Sequence, residues 1–208
     1  MGVGMSEKPL CLDLFCGKGG WAKGFLDAGY RVIGFDLEDF SKHYPGEFHR
    51  QDLFGWSWSG EQPRVVVGSP PCQPFSTMAC CKASTREERA RKGMDLVFTT
   101  YRIVLEAKPT YWAIENVRGA LKWFRPLLGE PAYTDGTWFL WGNFPPWLMK
   151  SANRHYKGKY TGPITNVIRS GPEAGKKKTH YRNGWGTAST VAKIPYDISR
   201  GLAEACLL

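Results

Sequence analysis

The sequence predicts an α/β domain built on a mostly parallel, doubly wound sheet, and three observations carry that prediction. Short apolar runs without alternation, such as Val65-Val66-Val67, recur between longer segments with helical spacing, as in strands covered on both faces by helices. A glycine-rich turn, Cys16-Gly17-Lys18-Gly19-Gly20, joins the first of these runs to the first helical segment. The runs also lead into residues able to do chemistry, Asp36, Cys72 and Glu115, and the carboxyl edge of an open α/β sheet is where ligands bind.

Residues 10–15 form the first expected strand and residues 21–28 the first helix, closed by Gly29. Residues 31–35 form the second strand, finishing at Asp36. Glycine lets backbone approach a ligand closely, and a helix N-terminus offers unpaired N–H groups. Asp36, at the strand tip, is placed to accept hydrogen bonds from ribose hydroxyls. Gly17, Gly19 and Ala22 also satisfy the loose G-x-G-x-x-A dinucleotide pattern, so the turn alone leaves NAD open beside other nucleoside-type cofactors. Asp52-Leu53 follows a short third strand and offers either a second carboxylate near the cofactor or a turn aspartate.

Val65-Val66-Val67 reads as a buried strand, and Pro70 and Pro71, which have no backbone donor, stop it. Cys72 is therefore held just past the strand end by a stiff backbone. Residues 77–93 read as a polar surface loop or a frayed helix start, and residues 94–107 as an amphipathic helix. Residues 111–114 form a strand leading into Glu115-Asn116-Val117, which delivers a carboxylate to the edge that carries Cys72. Residues 137–141 are a further strand, 143–146 a turn, and 194–206 a closing helix with Ile198, Leu202, Ala205 and Cys206 on one face.

The net charge of +9 is uneven. Residues 1–149 hold 17 Lys and Arg against 16 Asp and Glu, whereas residues 150–208 hold 11 against 3. Residues 147–190 interleave cations, with Lys176, Lys177 and Lys178 at their centre, and the aromatics Tyr156, Tyr160, Tyr181 and Trp185. That mixture suits phosphate contact plus stacking, so it points to a polyanion partner or else to a solubilising face. The six cysteines include no CxxC pair and no accompanying histidine cluster, so no metal site and a reducing, cytoplasmic setting are expected. No apolar run is long enough to span a bilayer, and no membrane partner is expected.

Three motifs together carry a family resemblance. Asp13-Leu14-Phe15-Cys16-Gly17-x-Gly19-Gly20, then Gly68-Ser69-Pro70-Pro71-Cys72-Gln73-x-Phe75-Ser76, then Glu115-Asn116-Val117 resemble, in order and spacing, the DNA (cytosine-5)-methyltransferases. The short length and Leu140-Trp141-Gly142-Asn143-Phe144-Pro145 look like compact phage-type members. The resemblance implies a Rossmann-like class I S-adenosylmethionine-dependent methyltransferase with a small basic target-recognition insertion. Its expected parts are a catalytic domain over 1–142, a reduced recognition region over 143–190 and a C-terminal helix over 191–208 packing back.

The resemblance selects S-adenosylmethionine over NAD, held by Asp13, Phe15, Gly17, Gly19, Gly20, Asp36, Leu37, Asp52, Leu53 and Pro70. It makes Cys72 the nucleophile for cytosine C6, Glu115 the carboxyl that bonds N3, and Asn116 the residue positioning the loop. It implies double-stranded DNA with the target base flipped out, contacted by Gln73, Ser76, Arg86, Lys176, Lys177 and Lys178, and a monomer.

The sequence departs from the family at two places. Tyr133-Thr134-Asp135-Gly136-Thr137 stands where a Gln-x-Arg-x-Arg motif is usual, so Arg86, Arg118 or Arg154 is expected to hold the cytosine instead. The usual Arg-x-Leu-Thr-x-Arg-Glu segment near the end is absent, and a short or relaxed target sequence follows from the reduced recognition region. The alternatives are a catalytically weak or silent DNA-binding protein that keeps the fold, and an RNA cytosine-5 methyltransferase.

Overall fold

The computed structural model describes residues 7–76, 85–146, 164–167, 177–180 and 193–208. Strand β1 (Leu10–Leu14) is buried along its whole length. Side chains alternate across a strand. Leu10, Leu12 and Leu14 accordingly join one core cluster with Ile33, Phe35, Val66, Ile103 and Val104. Cys11 and Asp13 face the other side, so both faces of β1 need cover.

Around β1 are β2 (Arg31–Asp36), β3 (Glu47–Arg50), β4 (Val65–Gly68), β5 (Tyr111–Asn116), β6 (Tyr133–Thr134) and β7 (Phe139–Asn143). They form one seven-stranded sheet in the order β3-β2-β1-β4-β5-β7-β6. Strands β1 to β5 pair in parallel, and β7 runs antiparallel to β5 and to β6. The chain moves outward from β1 through β2 to β3, then returns to the opposite side of β1 as β4. That reversal opens a crevice at the carboxyl ends of β1 and β4, the binding position of doubly wound sheets. The expected mostly parallel α/β sheet is borne out.

Helix α2 (Arg86–Ala107) covers one face. Ile103, Val104 and Ala107 pack in the β1 cluster, while Ala90, Met94 and Val97 join Phe75, Phe124, Phe139 and Trp141 in a second cluster. Helix α3 (Leu121–Leu128) supplies Phe124 to that cluster. Helices α1 (Ala22–Asp27) and α4 (Tyr196–Ala205) pack on each other. A Cβ on Gly24 would stand 2.3 Å from Ser199 Oγ and 2.4 Å from the Arg200 nitrogen, so the α1 backbone touches α4 directly.

Several expected boundaries move. Helix α2 begins eight residues before Met94, because Thr85 and Glu88 form a reciprocal capping box and Glu87 and Glu88 suit a helix N-terminus. Of the two readings of 77–93, a surface loop or a frayed helix start, the helix start holds from Arg86. Strand β7 runs two residues later than expected, since the Asp135 carboxylate accepts the N–H groups of Thr137 and Trp138 and keeps both in a turn. Asn143, expected in a turn, pairs with Trp112. The closing helix starts at Tyr196, with Pro195 as its N-cap. Helix α3 and strand β6 have no counterpart in the expected elements.

The chain divides into two compact units, Met1–Trp147 with Ile194–Leu208, and Leu148–Lys193. Within the second, β8 (Ile164–Val167) and β9 (Lys177–His180) pair antiparallel, with Asn166 opposite Lys178. No described helix is long and apolar enough to cross a membrane.

Gly24→Ala tests the α1–α4 contact. Alanine ordinarily stabilises a helix interior, but here its methyl meets backbone. The expected outcome in urea denaturation is a loss of about 1–3 kcal/mol.

Candidate active site

Two neighbouring parallel strands end together. The β4–β5 register sets Gly68 opposite Ile114, so Ser69 comes level with Glu115 at the carboxyl edge. The Ser69 N–H bonds the Leu14 carbonyl at 3.1 Å, which ties the same edge to β1. Beyond Ser69 the prolines turn the chain, and the Cys72 carbonyl accepts the N–H groups of Phe75 and Ser76, each at 3.0 Å. Phe75 is fully buried and meets the Phe124 ring edge-on at 5.2 Å. A core side chain thus anchors the loop on its far side, while Cys72 stays half-buried and Gln73 exposed.

Asn116 locks the two strand ends. Its amide donates to the Pro70 carbonyl at 2.9 Å, and its carbonyl oxygen accepts the Val117 N–H at 3.0 Å. Glu115 is buried, and desolvation pushes its carboxyl up to about 8 against a hydrogen bond from Ser69. At neutral pH it is therefore a carboxylic acid with a proton to donate. Burial also raises the Cys72 thiol, and a charge on Glu115 would raise it further. Only while Glu115 stays protonated does the cysteine escape that penalty.

The glycine turn lies at the adjacent ends of β1 and β2. Phe15, Gly17 and Gly19 all have positive φ, at 55°, 49° and 77°. Nothing lies within 4 Å of a Cβ built on Gly17, whereas one on Gly19 would strike Pro45 at 2.4 Å. The turn is open above and packed below, which makes it a cradle. Asp36 holds it: one carboxylate oxygen accepts the Gly17 N–H and the other the Glu38 N–H, both at 3.0 Å. A carboxylate has about four acceptor positions, so ribose hydroxyls can still be accepted. Leu37 is exposed beside it, an apolar surface next to the cradle.

The other sequence-derived positions divide by depth. Asp13 is fully buried, with one carboxyl oxygen accepting the Tyr44 hydroxyl at 3.0 Å and the other, Oδ1, unpartnered. Burial raises it to about 8. Asp52 is exposed and accepts the Phe54 N–H at 2.9 Å. Leu53 lies in the core cluster, and Pro70 is buried below the strand-end loop. Gly20 is half-buried and precedes Trp21. Ser76 belongs to the Cys72 turn, and Arg86 opens α2. Arg118 is exposed two residues past Asn116, at the end of β5, so it shares the edge with Glu115. Lys177 and Lys178 begin β9, while Lys176 and Arg154 lie outside the described residues. Cys11, Cys16 and Cys206 are buried free thiols. The sequence reading missed Trp21 and Tyr44, whose indole and hydroxyl reach Ser69 and Asp13. Nothing local in the sequence marks these contacts, which span 48 and 31 residues.

A sheet of this order, with a glycine cradle at the switch point and an acid at the tip of β2, is a Rossmann-like α/β fold with its binding crevice at the carboxyl edge. The chain belongs to the C-5 cytosine-specific DNA methylase family, whose model matches residues 10–124. The Type II methyltransferase M.AplI of Arthrospira platensis is 30% identical over 115 residues, 53% of this chain and 32% of that protein. Two Type II methyltransferases of Herpetosiphon aurantiacus are each 29% identical: M.HgiDI over 52% of this chain and 37% of its own length, M.HgiGI over 52% and 90%. The match thus spans about a third of the first two relatives. Among solved structures, the Entamoeba histolytica methyltransferase EhMeth aligns with a TM-score of 0.38 at 21% identity, over 55% of this chain and 39% of that one.

The buried acids make a pH prediction. Glu115 and Asp13 have folded values near 8, above the ordinary carboxyl range, so each contributes stability that is complete below about pH 4 and lost as pH rises through 8. Urea midpoints measured from pH 5.5 to 8.5 are expected to fall, and Glu115→Gln is expected to reduce that slope.

Proposed function

We propose that the protein transfers a methyl group to C5 of cytosine in DNA, through a covalent bond between Cys72 and C6 of a flipped-out base. One observation carries the reading: a half-buried thiol and a protonated, buried carboxyl stand at the ends of adjacent parallel strands, beside a nucleoside cradle. Family membership supports the substrate class.

Cytosine C5 is a poor nucleophile. Cys72 gives its thiol proton to water, the thiolate adds to C6, and the electrons of the C5–C6 double bond move through the ring as N3 takes the proton of Glu115. The S–C6 bond leaves C5 as an enamine carbon. S-adenosylmethionine supplies an electrophilic methyl group on a sulfonium. After C5 has gained the methyl, a base removes the C5 proton. Cys72 then leaves as thiolate while Glu115 recovers the N3 proton.

The residues fit the methyl donor. Gly17, Gly19 and Gly20 provide the backbone of the cradle, with open space over Gly17, Asp36 retains acceptor capacity for ribose, and Phe15, Leu37 and Asp52 are assigned to the base side. Asp13, with its unpartnered oxygen, and the buried Leu53 and Pro70 are assigned to the same cofactor site. Asn116 fixes the loop that carries Cys72.

Target cytosines lie inside the stack, so the base must leave the duplex to reach Cys72. Gln73 and Ser76 stand beside the thiol and would close on DNA. Arg118, or Arg86 at the start of α2, would take the place of the arginines missing from 133–137 in holding the base. Lys176, Lys177 and Lys178 are assigned to phosphates. A monomer acting in the cytoplasm, in a bacterial host if phage-encoded, completes the reading.

DNA carrying 5-fluorocytosine blocks loss of the C5 substituent. The expected result is a covalent protein–DNA adduct in denaturing gels, absent in Cys72→Ser and reduced about 100-fold in rate in Glu115→Gln at neutral pH. DNA binding without any adduct would favour a silent binder instead. An adduct on RNA alone would favour the RNA reading.

A further inference from the structure

Glu115 is not aimed by its own strand alone. Ser69 stands level with Glu115 across the β4–β5 pair, on the same face, and its hydroxyl favours the ionised form of that carboxyl. The Ser69 oxygen in turn accepts the Trp21 indole Nε1–H at 3.0 Å. An indole nitrogen can only donate. With Trp21 donating into one lone pair of Ser69 Oγ, the hydroxyl hydrogen turns away from the indole and can be given to Glu115.

Trp21 is itself held at several points. It is almost fully buried, its ring meets Phe25 edge-on at 6.4 Å, and its carbonyl accepts the Ser199 hydroxyl of α4. Ser199 lies where Gly24 allows α4 to touch α1. The chain of contacts therefore runs from α4, through the residue that follows the glycine cradle, to the carboxyl beside Cys72.

We infer that Trp21 and Ser69 are positioning residues: the bond sequence Trp21 Nε1–H to Ser69 Oγ, and Ser69 O–H to Glu115, orients the Glu115 carboxyl toward the base bound at Cys72. The inference rests on the role proposed for Glu115. Neither residue touches the substrate. Without Ser69 the carboxyl keeps its burial but loses the contact that selects its rotamer, and its unused oxygen has no donor. Without the indole N–H, the Ser69 hydroxyl is free to rotate away from Glu115.

The test separates this relay from the reaction. The side-chain carboxyl of Glu115 is titrated by carbon-13 NMR in the full chain, in Ser69→Ala, Ser69→Thr and Trp21→Phe. Cys72 is the other titrating group facing this carboxyl, and it is unchanged in every variant. Losing a donor to the carboxylate raises its pKa. The expected result is an upward shift of about half a pH unit or more in Ser69→Ala, a smaller one in Trp21→Phe and return to the parental value in Ser69→Thr. In methyl-transfer assays, kcat is expected to fall about 10- to 100-fold in Ser69→Ala, with the KM for S-adenosylmethionine little changed. A Glu115 titration identical to the parent in Ser69→Ala overturns the relay, even if Trp21→Phe fails to fold. If the titration shifts but the parent protein methylates nothing, the proposed reaction falls and the relay stands.

Discussion

The parallel pairing of β4 with β5 is the constraint on which the site depends. Hydrogen-bonded register places Ser69 level with Glu115, and the chain past the prolines holds Cys72 where a charge on Glu115 would raise its thiol. A one-residue slip would turn every side chain of one strand to its other face. The register is protected by burial on both faces, Val66 and Ile114 on one and Val65, Val67 and Ala113 on the other. Asn116 closes the arrangement by bonding the Pro70 carbonyl. The chemistry is thus positioned by backbone pairing first and by side chains second.

Burial gives the two reactive groups opposite consequences. It keeps the Glu115 carboxyl protonated near neutrality, which suits an acid. It also raises the Cys72 thiol, which works against the thiolate that the proposed reaction needs. The same desolvation therefore arms one partner and restrains the other. The cradle follows a similar logic, since Asp36 both braces the turn through the Gly17 N–H and retains capacity for a ligand.

Much of this was legible in the chain. The glycine turn, the acid ending β2, the strand-breaking prolines before Cys72 and the carboxylate ending the fifth strand are all local signals with local physical causes. The capping box at Thr85 and Glu88 was equally local, and it marks a helix start that polarity alone obscures. Other features were not local. Short β6 forms only because β7 offers it an edge, with Tyr133 opposite Leu140. Trp21 reads as a core aromatic in sequence, and only the folded sheet brings its indole to Ser69.

Base-resolution sequencing of DNA from cells expressing the protein tests the central claim most directly. The account requires 5-methylcytosine in a recurring short sequence context with the parental chain, and none above background with Cys72→Ser. Equal modification in the two, or none with the parental chain while it is folded and bound to DNA, would contradict it.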